Sequence, residues 1–194
     1  MGLPVPAVWG VQRIDVRWGI VFDRVKHASF AEQMRGDPTA MPHYLETLAA
    51  LQARIHAQPA SQFSSLKLRQ AANIARVNVL EEPRKRVLLT RLADMLEGDR
   101  LCHGDINVLG EVSRPVVIDW PDACRGDPAA DLCRPYLLLR LHAADIAEPY
   151  LDAYCRISNV TWGKVLDWLP CVAAARLAED IPDECDRLRE MASA

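Results

Sequence analysis

A mainly helical α+β protein is what this sequence predicts, and three observations carry that reading. Long stretches place apolar residues three and four apart, the period of an amphipathic helix. Strand-like runs are short and confined to two regions, residues 8–25 and 101–118. No repeat, low-complexity segment or obvious linker divides the chain, whose 194 residues fit one medium domain with a substantial core.

Pro4 and Pro6 enforce an extended start. Val8 to Val11 and Trp18 to Val25 then read as two short strands around a turn at Asp15, with no glycine-rich loop before them. Ser29 can cap a short helix to about Arg35. A stronger helix covers Met41 to Ala57, with Tyr44, Leu48, Leu51 and Ile55 on one face, and Pro59 ends it. Ser65 to Asn78 and Pro83 to Leu96 make two more; Pro83 suits a first turn, and Glu81 and Glu82 favour its positive end. Leu101 to His103, Asn107 to Leu109 and Val116 to Ile118 are short strands, the last two joined by a hairpin over Gly110 to Pro115. Asp127 followed by Pro128 opens a helix to His142, with Leu132, Tyr136, Leu137 and Leu139 inward. Helices at roughly 145–156, 161–178 and 183–192 close the chain.

Composition excludes several classes. The net charge of −3 comes without a basic stripe, so nucleic acid is not expected as a partner. No charged-then-apolar leader marks a secretory signal, and the run Val165 to Ala178, broken by Asp167 and Arg176, is too short to span a membrane. Six irregularly spaced cysteines without a Cys-x-x-Cys pair read as reduced, buried thiols in a cytoplasmic protein.

The stretch from Cys102 to Leu132 concentrates the chemistry. It holds Asp105, Asp119, Asp127 and Asp131 with Asn107 and His103. Carboxylates and an amide on adjacent short strands supply hard oxygen ligands that suit magnesium. Phosphoryl transfer needs that set: a carboxylate at the attacking hydroxyl and oxygens holding magnesium on the phosphates. His103 reads as a structural hydrogen-bonding residue and Asp127 as a helix cap. His56 reads as a favourable charge or polar cap near a helix end, and the acidic run from Glu179 to Asp186 as a solvated helix start. The five tryptophans read as core or pocket wall.

Three motifs follow in order: His103-Gly104-Asp105, Ile118-Asp119-Trp120 and Gly126-Asp127-Pro128-Ala129-Ala130-Asp131-Leu132. On them the chain resembles the aminoglycoside phosphotransferase family, whose signatures are His-Gly-Asp-x-x-x-x-Asn, Ile-Asp-Trp or Ile-Asp-Phe, and Gly-Asp-Pro-x-x-Asp-Leu. GIVFDRV at 19–25 and the segment Ala53 to Ala57 extend the likeness upstream. The resemblance implies a protein-kinase-like fold: residues 1–25 as a remnant small lobe with its hinge strand, and 26–194 as the helical catalytic lobe. It implies transfer of the γ-phosphoryl of ATP to a hydroxyl of a small molecule. Asp105 would be catalytic, Asp119 and Asn107 would hold magnesium, and backbone groups around Asp23, Arg24 and Val25 would meet adenine. His103, Asp127 and Asp131 would brace the site.

Two departures from the family pattern stand in the sequence. Asn107 lies two residues after Asp105 rather than five, which in an extended segment puts both side chains on one face about 6–7 Å apart. None of the four lysines precedes the hinge strand, where the family places its phosphate-binding lysine. An inactive relative that binds nucleotide or a partner, a truncated gene product and a purely helical binding protein are the alternatives. An apolar face near Val8, Ile20 and Phe22 would then be left open to a second copy. The acceptor stays open among aminoglycosides, other antibiotics, sugars and amino alcohols.

Overall fold

Side-chain caps set half of the α-helix starts among the described residues. In the computed structural model, which describes residues 2–193, Ser29 caps α1 (Phe30–Gly36) through a reciprocal box with Glu32. α2 spans Met41–His56 and begins at a proline turn. Ser65 caps α3 (Leu66–Arg76), and Pro83 sits in the first turn of α4 (Glu82–Asp94). Asp127 accepts from the Ala129 amide to start α5 (Pro128–His142), and α6 (Ala144–Ile157), α7 (Trp162–Arg176) and α8 (Cys185–Met191) follow. The helix ends fall within a few residues of the periodicity's limits.

The strands pair locally. β1 (Val8–Ile14) and β2 (Arg17–Phe22) form an antiparallel hairpin that turns at Asp15. β2 stops at Phe22, short of the predicted Val25, because β1 runs out of partner residues. β3 (Arg100–Cys102) pairs antiparallel with β6 (Cys124–Gly126), and β4 (Asn107–Leu109) pairs with β5 (Val116–Ile118). The β4–β5 hairpin is thus carried between two paired strands, like a finger on a clamped base. β6 gave no sequence signal, since three residues centred on Arg125 show neither alternation nor an apolar run.

The core lies among α2, α5, α6 and α7, with α5 packed against both α6 and α7 and α2 against α6. Leu132, Leu137, Tyr150, Leu151, Val165 and Cys171 are wholly buried there. Each large apolar side chain removed from water contributes about 1.5–3 kcal/mol before entropy is charged against it. No helix among the described residues is long and apolar enough to cross a membrane.

Three expectations need correction. Trp9 and Trp18 are about three quarters exposed among the described residues, so they are neither core nor pocket wall of this fold. Glu184 is buried against the Arg176 guanidinium (Nε to Oε2, 2.8 Å) and His142, so the acidic run is not wholly solvated. The Arg176 hydrogen bonds hold the Glu184 carboxyl below its usual range despite burial. His56 caps nothing: it is buried inside the molecule.

Candidate active site

The site is built outward from Asp131 on the first turns of α5. Its carboxylate is buried and accepts the amide of Gly104 at 2.7 Å on one oxygen and that of His103 at 3.1 Å on the other. His56 Nε2 at 2.9 Å and Gln52 Nε2 at 3.3 Å, both from α2, meet the second oxygen. Burial alone would raise this carboxyl's pKa. The His56 contact and the two amides outweigh it and pull the group down to about 2. Tyr154 on α6 closes the shell at 2.5 Å from His56 Nδ1, and Tyr150 donates to Gln52 Oε1. This network fixes the path of residues 103–105 immediately after β3.

Gly104 takes φ of +91°, and a Cβ there would stand 2.6 Å from Asp122 Cβ, so only glycine fits under that turn. Arg69 pins the turn from the other side, donating to the Asp122 carbonyl at 2.6 Å. His103 is buried, its Nε2 lies 3.0 Å from the Ile118 carbonyl, and its ring packs 4.4 Å from that of Trp120. Burial lowers its pKa, so the neutral ring donates to Ile118 from Nε2; its buried Nδ1 has no partner among the described residues.

Asp105 emerges from this clamp half-buried, with Arg134 Nη2 3.8 Å from Oδ2. Burial raises its pKa, while Arg134 and Arg176 oppose the rise. Arg134 is also bound to Glu179 at 2.8 Å, so the pair ends a chain of charges running back to Arg176 and Glu184.

Asn107 opens β4 and pairs with Ile118, which places Asp119 one residue beyond that pair on the same hairpin. Asn107 is exposed and donates weakly to the Asp105 carbonyl at 3.5 Å. Asp119 holds φ of +68°, a left-handed conformation that costs a non-glycine residue about 1 kcal/mol or more. Its exposed carboxylate makes no hydrogen bond or ion pair among the described residues. A strained backbone holding an unpartnered carboxylate beside an amide fits a hard divalent cation.

Asp23, Arg24 and Val25 follow β2. The Asp23 carboxylate accepts from Trp9 Nε1 at 2.8 Å, and its amide donates to Ala7. The backbone groups of Arg24 and Val25 make no hydrogen bond among the described residues. The chain beyond them is tied to the β4–β5 hairpin, where the Gly110 amide donates to Ala28 and Ser29 bridges Leu109. The structure therefore carries Asp105, Asn107 and Asp119 on the turn before β4, on β4 and just after β5, and ties Ala28 and Ser29, a few residues after 23–25, to that hairpin. No hydrogen bond joins the two groups among the described residues. Asp127 is the cap of α5 and does not belong to that hairpin.

Sequence reasoning missed Gln52 and Arg134 as parts of the site and gave His56 the wrong role. Gln52 and His56 are one turn apart on the buried face of α2, and Arg134 lies three residues after Asp131, so helical spacing held the signal once Asp131 was known to be buried.

A sequence profile of the phosphotransferase enzyme family matches residues 2–168. No curated protein sequence matches the chain. Among solved structures, a thermostable mutant of aminoglycoside phosphotransferase APH(4)-Ia in its apo form aligns with a TM-score of 0.73 at 18% identity, covering 98% of this chain and 76% of that one. The same protein in a ternary complex with ADP and hygromycin B aligns at 0.57 and 19% identity, covering 99% and 78%. A choline/ethanolamine kinase family protein from Mesorhizobium loti aligns at 0.61 and 16% identity, covering 98% and 75%. At these identities the likeness shows the fold, which is α+β and protein-kinase-like.

Proposed function

The chain belongs to the phosphotransferase enzyme family, and from that premise we propose that it moves the γ-phosphoryl group of ATP to a hydroxyl of a small molecule. One observation carries the reading: a half-buried carboxylate, Asp105, follows the turn that Asp131 clamps from beneath, and an unpartnered strained one, Asp119, follows the β5 strand that pairs beside it. Asp105 accepts the hydroxyl proton and orients the attacking oxygen. Asp119 and Asn107 hold magnesium, which supplies charge neutralisation on the phosphates when bound. The free backbone edge of Arg24 and Val25 takes adenine, with residues 1–25 acting as the remnant small lobe and 26–194 as the catalytic lobe. The relatives bound to hygromycin B or named for choline and ethanolamine support a hydroxyl-bearing small molecule as acceptor. The cytoplasm, where ATP and magnesium are abundant, is the place of action. Calorimetric titration with ATP should give binding that depends on magnesium and falls at least tenfold in Asp119→Ala. Magnesium-independent binding would sink the assignment of Asp119.

A second reading, an inactive relative that binds a partner, is favoured by the β1–β2 hairpin. Val8, Val11, Trp18, Ile20 and Phe22 share one face of it and are each more than half exposed. Trp9, Ile14 and Val16 add further exposed apolar side chains around the same hairpin. A second copy supplies a matching apolar face and open strand edges, so light scattering should report a dimer that Trp18→Lys converts to monomer. A stable monomer at high micromolar concentration would exclude it.

A further inference from the structure

The irregular spacing of the cysteines hides one close pair. Cys102 and Cys124 are 22 positions apart in sequence, yet they face each other as register partners in the antiparallel β3–β6 ladder. Opposite residues in such a ladder have Cα atoms about 4.5–5.5 Å apart and side chains on the same face, inside the range of about 4.4–6.8 Å that a disulfide spans. Both thiols are free and buried. They also bracket the site: Cys102 precedes the His103-Gly104-Asp105 turn, and Cys124 follows the Asp122 turn that packs on Gly104.

We propose that Cys102 and Cys124 are a reversible dithiol–disulfide pair that straps together the two ends of the segment carrying Asp105 and Asp119. The reading stands on the strand register and does not require phosphoryl transfer. Both sulfurs are buried, and Cys124 is the one with a cation beside it: its Sγ accepts from Arg69 at 3.4 Å, and the Arg69 side chain is about a third exposed. The Cys102 thiol is pushed far above its ordinary range, first by its contact with Cys124 and then by burial and the Asp131 charge. It is therefore the resolving thiol rather than the first to react.

With hydrogen peroxide as oxidant, the Cys124 sulfur attacks one peroxide oxygen, the O–O bond breaks, and Cys124 sulfenic acid and one water result. The Cys102 sulfur then displaces the sulfenic oxygen, which leaves as a second water, and the S–S bond forms. Two thiols lose two protons and two electrons, and the peroxide is reduced to two waters. A dithiol reductant reverses the bond. The other buried thiols, Cys133 on α5 and Cys171 on α7, sit on packed helices with no ladder to fix their approach.

The test uses the full reduced chain, treated with peroxide under native conditions, alkylated and mapped by mass spectrometry. The expected product joins the peptides holding Cys102 and Cys124, is lighter by two hydrogens, and returns to free thiols with dithiothreitol. Hydrogen exchange across 103–123 should slow in the joined form. Cys124→Ser should lose the link, and Cys155→Ser should keep it; if the first variant fails to fold, the wild-type map decides alone. Cys102 and Cys124 remaining alkylatable after Cys155 and Cys185 are oxidised would overturn the proposal. So would Cys102 linked to any other cysteine, or unchanged exchange across 103–123.

Discussion

Asp131→Ala should cost this protein about 3–5 kcal/mol of stability, the range for breaking a buried charged network from one side. Domains of this size rest on about 5–15 kcal/mol in all, so the variant should melt far earlier or fail to fold at ordinary temperature. The reason lies in what is left behind. Removing the carboxylate strands the buried amides of Gly104 and His103, the Gln52 amide and the His56 ring without their acceptor. Asp131→Asn should fare better than alanine but still lose, since its amide end turns a donor toward groups that already donate. Thermal and urea melts of the three proteins check the order, and alanine melting within a degree of wild type would refute the clamp.

The same group sets an acid limit. Its folded pKa is depressed to about 2 from an ordinary value of 3.8, so its stabilisation is complete above the ordinary value and is lost as pH falls toward the folded one. The pH window is therefore about 4 down to about 2, and the loss there is about 2 kcal/mol. Stability measured against pH should show this step in wild type and lack it in Asp131→Asn.

Asp105→Asn should lower phosphoryl transfer about 10²–10⁴-fold while leaving the melting midpoint and nucleotide affinity nearly unchanged. The substitution keeps shape and removes only the ability to take a proton. Full activity in a purified variant would dismiss Asp105 as the base. Because burial raises the Asp105 pKa, the rate should fall on the acid side at a pH above the ordinary carboxylate range. Arg134 is the largest influence opposing that rise, so Arg134→Ala should move the acid limb further up. A limb that stays in place would show that the 3.8 Å pair does not tune the group.

By itself the sequence determined the helical class, the starts of α1, α3 and α5, the β4–β5 hairpin and the positions of Asp105, Asn107 and Asp119. These follow from interactions a few residues long: Ser29 to Glu32, Ser65 to Leu68, Asp127 to Ala129, and short apolar runs on either side of the turn from Gly110 to Pro115. The tertiary structure alone decided how those pieces act. It seated Asp131 on His56, 75 positions away, and on Gln52, 79 positions away, turning two helix residues into the floor of the site. It set Arg134 against Asp105, brought Cys102 opposite Cys124, and left Trp9 and Trp18 in solvent. A cap or a helical face is written in neighbouring residues, because one or two turns of backbone complete the interaction. A buried carboxylate is stable only when donors from separate elements converge on it, and that convergence exists only once the helices have packed.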